Sequence, residues 1–205
     1  MFIVLEGPDC SGKTTQAALL VKRLRGSAAD ILHLAFPTKS PAGVAARKLL
    51  QLDKLFCESV DSGLPKVLLQ SAMVADRYGT VGQIEDCLRR DGIVVADRWN
   101  ESAFVYGGED GIDLDWLHAV QHAMPKPDLR ILLDVDVDTI MSRLHTRGKP
   151  TERYEQRGFQ QKVVTRYRDL WNAGVAAAPK AWRVVDGRMP KEAVGDAIFD
   201  LIVQC

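Results

Sequence analysis

The chain has 205 residues, in which 27 Lys and Arg are matched by 27 Asp and Glu. That length suits a single α/β domain with a full core. The even charge argues against a non-specific binder of nucleic acid or of acidic membrane surfaces, while leaving room for a local basic pocket. The cysteines, Cys10, Cys57, Cys87 and Cys205, show no CxxC or other metal spacing, and no apolar run is long enough to span a membrane. A reduced, cytoplasmic setting fits them. Glu6 interrupts the N-terminal apolar run, so no secretory signal is expected.

The run at residues 2–5 reads as a buried parallel strand. It leads into Gly7-Pro8-Asp9-Cys10-Ser11-Gly12-Lys13-Thr14-Thr15, which has P-loop spacing: two glycines with four residues between them, then Lys and a hydroxyl. A helical pattern follows from Gln16. Strand, loop and helix are the context this motif needs. Its glycines let backbone N–H groups turn inward around a phosphate. The helix N-terminus adds partial positive charge. Lys13 reaches the outer phosphates, and the Thr14 hydroxyl ligates Mg²⁺.

Further strand-length apolar runs occupy residues 31–35, 93–96, 129–135 and 182–185, with helical patterns between them. This alternation predicts one parallel sheet with helices on both faces. Residues 65–90 read as one long helical segment, and by periodicity its Asp76-Arg77 is an exposed pair. Met73 lies one turn before Arg77 on the same face, so the two can also stack on and hydrogen-bond a planar base.

Asp97 and Arg98 fall just past the 93–96 strand, where open α/β sheets bind ligands. Two readings stand open for them. They hold a Mg²⁺-bound water and a phosphate, or they cap the next helix. His118 and His122 are four apart, but a zinc site needs three or four ligands and no third follows. Residues 143–157, dense in Arg, Gly, Lys and Pro, read as a mobile basic lid between two helices or as a solvated surface loop.

Together these pieces resemble the thymidylate kinases, P-loop nucleoside monophosphate kinases, over nearly the whole chain and in the family's order. The opening Phe2-Ile3-Val4-Leu5-Glu6-Gly7-Pro8-Asp9, Phe36-Pro37 after the second strand, and helical Asp76-Arg77 match. So do Asp97-Arg98-Trp99 with Ser102 and Tyr106-Gly107, and Pro125-Lys126-Pro127-Asp128-Leu129. Glu152-Arg153-Tyr154-Glu155 with Phe159-Gln160 is similar to the lid of eukaryotic and viral members.

The resemblance implies an ATP-dependent kinase for dTMP, with a five-stranded P-loop NTPase sheet and a short lid at about 143–157. Gly7, Ser11, Gly12, Lys13, Thr14 and Thr15 would hold ATP, with Arg143 near the adenine. Thr14 and Asp97 would support Mg²⁺. Asp9 would contact the acceptor's 3′-hydroxyl, and Arg98 its phosphate. Phe36, Lys39, Met73, Arg77, Ser102 and Tyr106 would complete the dTMP site, Arg77 on the thymine and Tyr106 beside the sugar. The resemblance also implies a homodimer. Three positions depart from the family. Cys10 replaces a P-loop arginine of many eukaryotic members, which assigns the transition-state cation to Arg147 or Arg153 of the lid. Met73 stands for a usual Phe, and Lys39 for a frequent Arg. Another monophosphate kinase, such as one accepting dUMP, or a deoxynucleoside kinase would share the P-loop. A GTP-binding switch lacks support, because no Asn-Lys-x-Asp occurs.

Overall fold

The computed structural model describes residues 1–27, 30–56, 64–148 and 153–204. Its strands are β1 (Phe2–Glu6), β2 (Ile31–Ala35), β3 (Ile93–Asp97), β4 (Leu129–Asp134) and β5 (Trp182–Asp186). They form one parallel sheet in the order β2-β3-β1-β4-β5. All five expected strands are present, each within one residue of the predicted bounds.

The central strand β1 is buried along its whole length, as a strand covered on both faces must be. Its side chains alternate. Ile3 and Leu5 pack with Leu20, Val21 and Leu24 of α1 (Lys13–Leu24) and with Val194 and Ile198 of α9 (Lys191–Val203). Phe2 and Val4 face the other way, onto Ile84, Trp99 and Phe36. Burying each such side chain stabilises the fold by about 1.5–3 kcal/mol. Trp99 anchors this second layer. Its ring lies edge-on to Phe2 at 5.4 Å and tilted to Phe36 at 5.2 Å. Its indole N–H donates to the Pro125 carbonyl at 3.1 Å.

The remaining helices are α2 (Pro41–Phe56), α3 (Leu64–Tyr78), α4 (Val81–Arg89), a short α5 (Asn100–Ser102), α6 (Leu114–Gln121), α7 (Val137–Arg147) and α8 (Arg157–Ala177). α5 runs directly into a π-helical turn, Ala103–Gly107.

Three expectations are corrected here. The 65–90 segment is two helices, α3 and α4. Gly79 weakens the helix locally, and the Thr80 N–H and hydroxyl both donate to the Arg77 carbonyl, closing α3. Asp76 and Arg77 are not exposed; they are 1% and 3% accessible. Helical period identifies a face but not what covers it, and here the β2–α2 loop covers Asp76. Residues 143–147 are the last turns of α7 rather than lid loop, and Gly148 at φ +63° ends that helix in the left-handed conformation glycine allows. The expected lid segment 149–152 lies outside the described residues.

Candidate active site

β1 and β3 pair in register, Leu5 opposite Asp97, so the P-loop and the Asp97-Arg98 step leave the sheet side by side. Gly7 sits at φ +148° with no room for a side chain; a Cβ would stand 2.7 Å from the Leu133 carbonyl. Gly12 turns at φ +102° into the N-terminus of α1. The loop walls one side of a cleft of about 510 Å³. Ser11, Gly12, Lys13, Thr14 and Thr15 line it, facing Arg143 and Arg147 of α7 and the turn after β5 at Gly187 and Met189.

Lys13 is buried. Its ammonium donates to the Pro8 carbonyl at 2.6 Å and to Ser11 Oγ at 3.2 Å. Burial, and then the positive charge of Arg98, lower its pKa to about 8. Arg143 bridges the two walls, donating to the Cys10 carbonyl at 3.0 Å and to the Gly187 carbonyl at 2.8 Å. Arg147 lines the same cleft and is ion-paired to Glu155. The Arg153 side chain lies outside the described residues.

Thr14 and Asp97 are in contact, the hydroxyl donating to Asp97 Oδ2 at 2.5 Å. Asp97 Oδ1 is buried and has no hydrogen-bond partner among the described residues. Neither Asp97 nor Arg98 caps the following helix: Trp99 holds the N-cap position and no side chain caps it.

Arg98 is the hub of the second half of the site. Its guanidinium donates to Asp9 at 2.5 Å, Ser102 Oγ at 3.1 Å, the Gly7 carbonyl at 3.2 Å, and the Tyr106 and Tyr167 hydroxyls at 3.3 Å. It also lies 5.0 Å from the centre of the Tyr106 ring. Burial alone would lower its pKa. Tyr106, Tyr167, Asp9 and Glu6 outweigh that and hold it well above its usual value, so the guanidinium stays charged.

Beneath Arg98 lies Glu6, fully buried. It accepts from the Trp99 and Ser102 N–H groups, the Ser102 hydroxyl at 2.7 Å and the Tyr167 hydroxyl at 2.8 Å. Burial and the nearby Glu101 raise its pKa. Gln160 of α8 donates both to Asp9 at 2.9 Å and to the Tyr154 carbonyl at 2.7 Å, tying the base of the lid to the P-loop.

Of the other expected residues, Phe36 is buried against Trp99, and Met73 packs against the cluster that holds Tyr106 and Tyr154. Arg77 donates to Gln121 Oε1 at 3.0 Å and towards the Trp99 carbonyl. Burial lowers its pKa to about 10, so it is still a cation at neutral pH. Asp76 clamps the β2–α2 loop, accepting from the Thr38 N–H and from the Thr38 and Ser40 hydroxyls. Lys39 on that loop is exposed, and its side chain makes no hydrogen bond or ion pair among the described residues. His118 and His122 are exposed, and no metal-binding group of His, Cys, Asp or Glu occurs among the described residues.

From the sequence alone, no site role falls to Glu6, Gln160, Tyr167, Gly187 or Met189. Two of them carry a signal: Glu6, a carboxylate ending an apolar strand that must find partners, and Gln160, which stands in the run similar to the family's lid. Tyr167, Gly187 and Met189 reach the site from α8 and the β5–α9 turn, which no local pattern marks.

The family described as thymidylate kinase matches residues 5–198. A thymidylate kinase of Thermomicrobium roseum is 32% identical over 209 aligned residues, covering 99% of this chain and 94% of its own. One of Pseudomonas fluorescens is 32% identical, covering 100% and 95%. A probable thymidylate kinase of Pyrococcus horikoshii is 36% identical over 169 residues, covering 82% of each chain.

Proposed function

The chain belongs to the thymidylate kinase family, and from that premise we propose that the P-loop cleft and the Arg98 hub are the donor and acceptor halves of one phosphoryl-transfer site. It transfers the γ-phosphoryl group of ATP to dTMP, giving dTDP and ADP. The observation that carries the two-half reading is the Asp9–Arg98 pair at 2.5 Å. It joins the phosphate loop directly to the residue past β3, so donor and acceptor phosphates would meet beside it.

ATP would lie along the cleft, its phosphates cradled by the P-loop N–H groups and Lys13. Arg143, held between the Cys10 and Gly187 carbonyls, would present its guanidinium plane to the adenine. Arg98 would grip the acceptor phosphate, and Asp9 would accept from the 3′-hydroxyl. Phe36, Ser102 and Tyr106 would shape the sugar side, with Lys39 at the loop edge. Met73 and Arg77 would take the thymine. The acceptor phosphate is already ionised at neutral pH, so no side chain need act as a base. The reaction asks the protein for in-line placement and for cations around the transferred group.

The Thr14–Asp97 pair fits a hard divalent cation. Both atoms are oxygens, and Asp97 Oδ1 is buried without a partner among the described residues. Mg²⁺ held there through Thr14 and Asp97 would neutralise charge on the donor phosphates. Arg147, and Arg153 from the lid, would supply the cation that Cys10 cannot.

A coupled assay with ATP, Mg²⁺ and dTMP, dUMP, dGMP, CMP or thymidine tests this reading. dTMP is expected to turn over fastest and thymidine not at all. Turnover of thymidine in preference to dTMP would overturn the acceptor half.

The homodimer is also a proposal. Leu68 and Val67 of α3 leave an apolar edge exposed, and sedimentation velocity at micromolar concentration is expected to show a dimer. No helix among the described residues is long and apolar enough to cross a membrane. A cytoplasmic setting rests on the balanced charge and the cysteine usage.

A further inference from the structure

Gln70 stands on α3 three residues before Met73 and seven before Arg77, so the three share one helical face. It is 3% exposed, and its carboxamide makes no hydrogen bond among the described residues. Neither amide atom is among the fully buried unpartnered ones, so the stem is buried while the polar tip still reaches solvent and is open to a ligand. Its surroundings are those of the acceptor half. A Cβ on Gly107 would stand 3.1 Å from Gln70 Cδ. Gly107 follows Tyr106, whose hydroxyl and ring both engage Arg98. The amide therefore adjoins the π-helical turn on one side and the Met73–Arg77 face on the other.

The edge of thymine presents an acceptor, a donor and an acceptor: C2=O, N3–H and C4=O. Arg77 can only donate, so it can serve a carbonyl but leaves N3–H unpaired. Gln121 Oε1 and the Trp99 carbonyl, the acceptors nearest Arg77, are already turned towards its guanidinium. Gln70 supplies the missing acceptor. We propose that Gln70 Oε1 accepts the thymine N3–H, which makes Gln70 a specificity-determining residue for acceptors with an imide edge. This rests on the proposed placement of the base against Met73 and Arg77. Cytosine would be refused by the pair. Rotating the Gln70 amide could satisfy its unprotonated N3, but its 4-amino group would then face the Arg77 donors.

The test is steady-state kinetics with dTMP and its N3-methyl analogue on wild type, Gln70→Leu and Gln70→Met, with thermal melts to establish folding. Wild type is expected to prefer dTMP by at least a hundredfold in kcat/KM, because a site built around one hydrogen bond rejects an analogue lacking it. Each variant is expected to lose about ten- to a hundredfold in kcat/KM for dTMP, mostly in KM, and to shrink the preference at least tenfold. A residue serving only to support α3 would lower activity without changing that ratio. Wild type using both nucleotides equally, or folded variants keeping the wild-type ratio, would overturn the proposal. Met73→Trp in the same assay separates the two readings. If it raises the dTMP KM while the Gln70 variants keep the wild-type ratio, the base placement stands and the Gln70 assignment falls. If no variant alters dTMP kinetics, the base sits elsewhere and both fall.

Discussion

The Asp9 carboxylate and the Arg98 guanidinium, 89 positions apart in the chain, meet at 2.5 Å. Arg98 holds this place at a backbone φ of +73°, a left-handed conformation that costs a non-glycine residue about 1–2 kcal/mol. Its N–H still continues the β1–β3 ladder by donating to the Leu5 carbonyl at 3.0 Å. The turn therefore aims the side chain back over the P-loop, and charge-assisted bonds to Asp9 and its neighbours offset the strain. Such strain gathers where a site must be fixed before its ligand arrives.

Removing the Asp9 partner is therefore expected to impair the acceptor half selectively. Asp9→Ala should lower kcat/KM for dTMP by a hundredfold or more, about 2.7 kcal/mol of transition-state stabilisation. The ATP dissociation constant, followed with a fluorescent analogue, should change less than threefold. A variant weakened equally towards both nucleotides would show that Asp9 serves the loop rather than the acceptor.

Lys13 gives a pH signature. Its folded pKa of about 8 lies below the ordinary lysine value of 10.5 because burial, helped by Arg98, disfavours the ammonium. In the free protein the charge is thus lost as pH rises through about 8. Bound phosphates favour the charged form and raise the pKa again. ATP binding should then take up a proton near pH 8 and weaken above it, approaching tenfold per pH unit. Calorimetry in buffers of different ionisation enthalpy reads this directly. Lys13→Ala should lose orders of magnitude in kcat with dTMP binding intact, and should abolish the proton uptake.

Under the proposed function, with Cys10 in the P-loop, Arg147 and Arg153 would supply the cation for the transferred group. Arg147→Ala and Arg153→Ala are each expected to lower kcat at least tenfold with smaller changes in KM, and the double variant more. Cys10→Arg should restore part of the loss. Wild-type turnover in both single variants and the double variant would leave the lid a surface loop.

Met73→Phe is expected to tighten dTMP binding or leave it unchanged, since an aromatic face stacks on thymine with roughly 0.5–1.5 kcal/mol beyond area burial. A large rise in the dTMP KM would place Met73 wholly in the core formed around Tyr106 and Tyr154.

Glu6 is where stability and site meet. Glu6→Leu would leave the Trp99 and Ser102 N–H groups and two hydroxyls buried without their acceptor. The expected cost is about 3–5 kcal/mol in urea unfolding. Glu6→Gln keeps one acceptor oxygen and should cost less than half of that.

Much of this was legible in the sequence because it is local. The P-loop carries its chemistry in nine consecutive residues, Gly7 to Thr15. The strands show themselves as short, mostly apolar runs, unbroken at residues 2–5 and 93–96 and interrupted by His33, Arg130 and Arg183 in β2, β4 and β5, because a parallel sheet covered on both faces keeps its central strands dry. Asp97-Arg98 could be singled out as a candidate because open α/β sheets bind ligands past strand ends. What only the tertiary structure decided is which faces are covered and which distant groups meet. Period 3.6 puts Gln70, Met73 and Arg77 on one side of α3. It is the β2–α2 loop, Trp99 and α6 that bury its polar residues there. By periodicity Asp76 is a surface charge; in the fold Thr38 and Ser40 close on it. Gln160 and Tyr167 reach Asp9 and Glu6 from 151 and 161 positions away. No spacing rule links residues so far apart; only the packing of α8 across the sheet edge brings them together.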